Sequence, residues 1–174
     1  QDISIELRSK RLLTHILAED IPPMGYKTYH IKPSEAYPVL EGDNIFKNPF
    51  TLENEYMIVT INGDGTFNLT HKESGKTYTN LHYFEDTGET GHSWIHMEPD
   101  ENETIYSLGV PATITVEVNN PLLARVRIDY KISIPVELER EINELDREAE
   151  KNHTRRSKER VPLEISSWLT LKRS

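Results

Sequence analysis

The sequence predicts an all-β fold built from antiparallel strands packed as a sandwich. Three observations carry that expectation. Residues Ala124–Ile134 place Val126, Ile128, Tyr130, Ile132 and Ile134 on one side, and Arg125, Arg127, Asp129, Lys131 and Ser133 on the other. One face is buried and the other wet, as in an antiparallel sheet. Residues 51–81 hold three short β-prone runs separated by two turn sequences, the pattern of a meander. Elsewhere, short apolar runs are punctuated by Gly and Pro, which break regular structure.

The chain has 174 residues, of which 36% are apolar and 28% charged. That is enough apolar material for a core, which excludes a fully disordered chain. The balance of 20 basic and 29 acidic residues gives a net charge of −9. Such a surface repels phosphate backbones, so no nucleic-acid partner is expected. No apolar run approaches membrane-spanning length, so no membrane partner is expected either. Cysteine is absent, which removes disulfides and Cys-based zinc sites and suits a reducing, cytoplasmic setting. The sequence starts at Gln1 and stops at Ser174 inside an apparent strand, and reads as a piece of something longer.

In chain order, Ile3–Leu7 alternates with period 2 and reads as a strand. Leu12–Leu17 is apolar and fits strand or helix. Pro22-Pro23-Met24-Gly25 is a break. Tyr26–Ile31 alternates again and reads as a strand. Residues 1–32 thus form a strand segment leading into the sandwich. Residues 33–50 form a connector, with Pro33, Pro38, Pro49 and Gly42 in this region. Residues 51–174 form the main body. Within it, Tyr56–Ile61, Thr66–Thr70 and Thr77–Leu81 are strands, joined by turns at Asn62–Gly65 and Glu73–Lys76. Further strands are expected at Ser93–Met97, Ile105–Leu108, Ile114–Val118 and Pro162–Leu171.

One helical excursion is expected near 137–158. Leu138, Ile142, Leu145 and Ala149 recur at helical spacing over Glu137–Lys151. Residues 137–150 carry seven acids and two bases, and residues 151–160 carry one acid and five bases. That polarity suits a helix dipole.

The densest polar and aromatic stretch is Tyr83–Pro99. Gly88 and Gly91 allow tight turns, Asp86 and Glu89 supply carboxylates, and His92, Trp94 and His96 share one side of a regular strand. A sugar site uses such groups: carboxylates accept hydroxyl protons, and an indole stacks on a pyranose. The alternative is structural, with Asp and Gly forming turns and Trp94 in the core. A metal at His92 and His96 is disfavoured, because residues four apart in a strand lie about 13 Å apart. Asp86 and Glu89 are close enough in sequence for the paired carboxylates of a glycosidase, but many acidic turns would be. Nucleophile elbows, phosphate-binding loops and dinucleotide fingerprints are absent.

Taken in order, DIPPMGYKTYHI (20–31), LENEYMIVTINGDGTFNLTHKESGKTY (52–78) and FEDTGETGHSWIHMEP (84–99) resemble glycoside hydrolase family 38, the α-mannosidases. The likeness is to the start of the C-terminal β domain, is nearest to bacterial members that include mannosylglycerate hydrolases, and covers nearly the whole chain. It implies a large super-sandwich similar to galactose mutarotase, of which this chain supplies part. It also implies an α-mannoside substrate, and retaining hydrolysis with zinc and an Asp nucleophile held by preceding domains. No catalytic or metal residue is therefore expected here, and the parent catalytic domain is an expected partner. In the family, the segment matching Glu85–Pro99 commonly reads acidic–Gly–Asp–x–Gly–x–x–Tyr before a proline, and its aromatic reaches the sugar pocket. The matching aromatic here is Trp94, or His96 in another register; Glu89 stands for the usual Asp, and His92 for a common second acid. A Trp for the usual Tyr removes a hydroxyl and keeps a stacking face. Asp86, Glu89, His92, Trp94 and His96 are thus the expected sugar-binding residues. The competing expectation is a non-catalytic carbohydrate-binding or structural β-sandwich module.

Overall fold

In a computed structural model of the chain, residues 16, 18–32, 35, 42–91, 93–141 and 153–173 are described. The chain divides into two units, 1–41 and 42–174. In the first, the described residues follow an irregular path with a turn at Pro22–Gly25, closed by the Gly25 amide on the Pro22 carbonyl at 3.0 Å. The strand expected at Tyr26–Ile31 is not formed. Its alternation is real, but a strand persists only when a neighbour accepts its ladder hydrogen bonds. The expectation at Ile3–Leu7 lies outside the described residues.

The second unit is all strand among its described residues. One sheet contains β1 (Phe46–Asn48), β2 (Thr51–Glu53), β3 (Met57–Ile61), β4 (Phe67–His71) and β5 (Lys76–Leu81), in that order and antiparallel. The meander expected at 56–81 is therefore present. The stretch read as connector contributes β1, a three-residue strand that hydrogen-bonds to β2; three residues flanked by Pro49 and Gly42 carry too short a pattern to stand out.

A short pair follows. β6 (Glu85–Asp86) pairs with β7 (Ile105–Tyr106). The other large element is a three-stranded sheet in which β9 (Leu123–Pro135) lies between β8 (Thr113–Asn119) and, at the far edge, β12 (Arg160–Lys172). β9 and β12 pair residue for residue over 13 positions, from Leu123–Lys172 to Pro135–Arg160. The core lies between the two large sheets. Leu52, Val59 and Ile61 come from one; Ala124, Val126, Ile128 and Tyr130 come from the other. The alternation read along 124–134 is the alternation observed, with Val126 and Ile128 fully buried. At roughly 2 kcal/mol for each large apolar side chain, this inner layer is the main favourable term holding the sheets together.

The helix expected near 137–158 is corrected at both of its described ends. Leu138–Glu141 is a strand, β10, antiparallel to β11 (His153–Arg156). The physical reason is non-local: β11 offers a ladder in register, and Glu139 meets Arg155 across it at 2.7 Å. Residues 142–152, which carried most of the helical spacing, lie outside the described residues.

Tyr130 anchors the centre. Its hydroxyl donates to the Gly65 carbonyl at 2.8 Å and lies 3.0 Å from His82 Nδ1. Burial, with the nearby Asp64 charge, pushes the phenol up to about 12. Gly65 has φ +78°, and a Cβ on it would lie 2.4 Å from the Tyr130 oxygen. Only glycine fits both the left-handed turn and the close approach.

Candidate functional site

The polar–aromatic segment follows β5 and is held by backbone rather than by a regular strand. His82 stacks on Phe67 and meets Phe84 edge-on at 5.4 Å. The Phe84 amide donates to the hydroxyl of the buried Ser107 at 2.9 Å, and the Ser107 amide returns to the Phe84 carbonyl. These bonds fix the start of β6.

Ser93–Met97, expected as a strand, is an irregular loop. The Glu89 side chain explains why. Its carboxylate accepts from the Gly91 amide at 3.1 Å and the Met97 amide at 3.2 Å. The Thr90 amide donates to the Met97 carbonyl at 3.0 Å. These bonds close 89–97 on itself, with Gly91 at φ +90°. A local carboxylate thus satisfies amides that a ladder would otherwise use. Gly88 permits the close packing beneath, since a Cβ there would meet Pro99 Cγ at 2.5 Å. Its amide donates to Asn102 Oδ1 at 2.9 Å.

The expected sugar-binding residues fall into three groups. Glu89 and His96 come together, with His96 Nδ1 2.6 Å from Glu89 Oε2 and Nε2 3.8 Å from Glu98 Oε1. Trp94 sits in the same loop with 89% of its surface exposed, so it is not a core residue. His92 lies outside the described residues. Asp86 is directed elsewhere: its carboxylate is paired with the Arg156 guanidinium.

Arg156 was not singled out by the sequence, although it is central to the arrangement. Its side chain is 8% exposed. Besides the Asp86 carboxylate, it donates to the Asp86 carbonyl at 3.1 Å and the Glu103 carbonyl at 2.6 Å. It therefore clamps both ends of the loop to β11. A second clip lies beside it. Asp100 Oδ2 accepts from the Thr154 amide at 2.8 Å and from the Thr154 hydroxyl at 3.0 Å. Those Thr154 bonds, with a smaller contribution from the His153 charge and against a desolvation penalty, hold the Asp100 carboxyl below the usual carboxylate range. Arg140 donates to the Thr90 carbonyl at 2.8 Å. A shallow cleft of about 150 Å³ runs between Thr87–Glu89, Pro135, Glu137–Leu138 and Arg156.

Chemically, this is a braced loop presenting an indole and an imidazole–carboxylate pair. The pair offers hydrogen bonds to hydroxyl groups, and the indole offers an apolar face. Among the described residues, no three His, Cys, Asp or Glu side chains converge as a metal ion would require.

The chain as a whole is similar to known proteins. No protein-family profile matches the chain. A protein of Halalkalibacterium halodurans named "Putative mannosylglycerate hydrolase" is 32% identical over 148 residues, covering 80% of this chain. The crystal structure of an α-mannosidase from Enterococcus faecalis V583 superposes with a TM-score of 0.69 at 30% identity over 77% of the chain. The chain is an α-mannosidase-like segment of glycoside hydrolase family 38. A second Enterococcus faecalis structure, described as a protein of that family, gives the same TM-score at 28% identity over 78% of the chain. The family 38 segment spans about 16% of the curated relative's length and 16–17% of the two solved chains. Its all-β sandwich thus matches only a portion of each of these proteins. No helix among its described residues is long and apolar enough to cross a membrane.

Proposed function

We propose that this family 38 segment is the β-sandwich frame of a larger α-mannoside hydrolase, and that its 87–98 loop forms part of the sugar-pocket rim. The observation that carries the reading is the braced loop itself. A highly exposed Trp94 is offered by a turn that Glu89, Arg140, Arg156 and Asn102 hold from several sides. A fixed, exposed aromatic face suits the apolar side of a pyranose at little entropic cost. His96, oriented by Glu89, supplies a hydrogen bond to a sugar hydroxyl. Asp86 contributes by holding the loop through Arg156.

Hydrolysis is assigned to groups outside this chain: zinc and a carboxylate nucleophile in the parent catalytic domain, acting with retention. The segment alone is inactive, works in the cytoplasm, and lines part of a sugar pocket that the catalytic domain completes. Mannosylglycerate is the substrate favoured within the α-mannoside class, because the named bacterial relative carries that activity in its name.

The reading is tested on the chain by tryptophan fluorescence during titration with mannose and with mannosylglycerate. The expected result is a saturable millimolar response that Trp94→Ala diminishes by the part the loop contributes. Silence at every concentration reached would leave the loop a scaffold element. Turnover of an aryl α-mannoside by the isolated chain would contradict the assignment of chemistry elsewhere.

A further inference from the structure

The sheet β8–β9–β12 has a second face, turned away from the core, and it carries the other tryptophan. Trp168 on β12 is paired in register with Arg127 on the central strand. Its indole Nε1 nevertheless donates to Glu117 Oε1 at 3.2 Å, and Glu117 belongs to β8 at the opposite edge. The two strands are separated by β9, hence by about 10 Å at standard inter-strand spacing. A bond across that span requires the two side chains to run along the sheet surface rather than stand upright on it. Glu117 can do so because the register of β8 shifts between Val116 and Val118. An extra residue in a bulge is re-aimed relative to the regular alternation. The indole is therefore laid over the middle strand, and 55% of its surface stays exposed.

The surroundings point to the chemistry of what it receives. Asp129 accepts from the Ser166 hydroxyl at 2.6 Å and from Arg127 Nε at 2.9 Å. The Ser166 bond, then the Arg127 bond and charge, hold the Asp129 carboxyl below its ordinary range despite some desolvation. Arg125 Nε donates to the Thr170 hydroxyl at 3.3 Å. Around the ring there are two arginines and two carboxylates (Glu117 and Asp129), so the patch is close to neutral. A cleft of about 260 Å³ adjoins it, lined by Asp129, Lys131, Glu164 and Ser166 among others. A flat apolar ring bordered by balanced donors and acceptors is complementary to a neutral polyhydroxylated ring. It is not complementary to a polyanion, which would need excess positive charge, or to an apolar peptide, which would leave the charges desolvated.

We propose that this outer face is a second carbohydrate-binding surface, on which a pyranose of a neutral glycan stacks against Trp168 while Asp129 and Ser166 bind its hydroxyls. The surface is independent of the 87–98 loop.

The chain contains two tryptophans, Trp94 and Trp168, so incorporation of 5-fluorotryptophan gives two fluorine resonances. Trp94→Phe and Trp168→Phe assign them. α-Linked mannotriose is the probe, and glycerol is the control for bulk hydroxyl effects. The Trp168 resonance is expected to shift saturably at millimolar mannotriose and not with glycerol. Trp168→Ala should remove that binding while the Trp94 resonance reports an intact fold. Glu117→Ala keeps the indole but releases it from the sheet surface, and should weaken binding several-fold, which decides the matter if Trp168→Ala does not fold. A Trp168 resonance unmoved at tens of millimolar mannotriose overturns the inference. So does a shift that depends on protein concentration without sugar, which would show a second copy covering the face. Movement of Trp94 alone overturns this inference and leaves the pocket-rim reading standing; movement of Trp168 alone does the reverse.

Discussion

Replacing Arg156 by Met keeps most of the side-chain volume and removes the charge and every donor. Three acceptors lose a partner: the Asp86 carboxylate, the Asp86 carbonyl and the Glu103 carbonyl. Removing one member of a buried pair costs about 3–5 kcal/mol, and each orphaned carbonyl about 1 kcal/mol or more. The Asp86 side chain is 29% exposed, so water recovers part of that loss. A net cost of about 2–4 kcal/mol follows, and much of it falls on the loop rather than on the sandwich. Urea unfolding gives the global part. Amide hydrogen exchange at Gly88 and Thr90 gives the local part, and protection there should fall by roughly 30-fold to 1,000-fold, since 1.4 kcal/mol is a factor of ten. Asp86→Asn keeps an acceptor for Arg156 and should cost less. A mutant within about 0.5 kcal/mol of wild type, the ordinary range for surface substitutions, with unchanged exchange at Gly88, would refute the clamp.

Three other perturbations are decided by single measurements. Gly65→Ala forces a side chain into left-handed backbone and into the Tyr130 hydroxyl, and should destabilise the fold by about 2–4 kcal/mol in urea unfolding; an unchanged midpoint would show that the turn and Tyr130 are loosely packed. Gly88→Ala should drive the Gly88–Pro99 contact apart at a cost of about 1–3 kcal/mol, seen as chemical-shift changes confined to 86–102; changes spread over the whole sandwich would contradict that locality. The Asp100 carboxyl has its pKa depressed on folding, so its contribution is present above the unfolded value of about 3.9 and is lost as pH falls through the lower folded value. Exchange at the Thr154 amide should accordingly rise below about pH 4, relative to the intrinsic acid profile; Asp100→Asn should show faster exchange at neutral pH and no such step.

The strands with strong local patterns were legible in the sequence. β9 alternates over its whole length, and the β3–β4–β5 meander is announced by Asn62–Gly65 and by Gly75. What was not legible depends on partners far away in the chain. Leu138–Glu141 has a charge pattern that fits a helix face or a strand, and β11 decided between them. His92, Trp94 and His96 alternate as a strand would, but Glu89 draws the amides of 91 and 97 to itself. For the site, polar groups gather in the turn-rich segment, where Glu89 and His96 meet. The ion pair of Asp86 was not legible, because its partner, Arg156, lies 70 residues on. Arg156 itself was hidden in a basic run that suited the end of a helix. Trp168 was read as part of a strand; its reach to Glu117 depends on a bulge that no pattern in β8 announces.

The proposed pocket-rim role can be measured in the full-length protein as steady-state hydrolysis of 4-nitrophenyl α-mannoside, comparing wild type with Trp94→Ala. Loss of a stacking face shared by ground state and transition state should raise KM by about tenfold, near 1.4 kcal/mol, and leave kcat within a factor of two or so. Equal KM values for the two proteins would mean that the indole never touches the sugar.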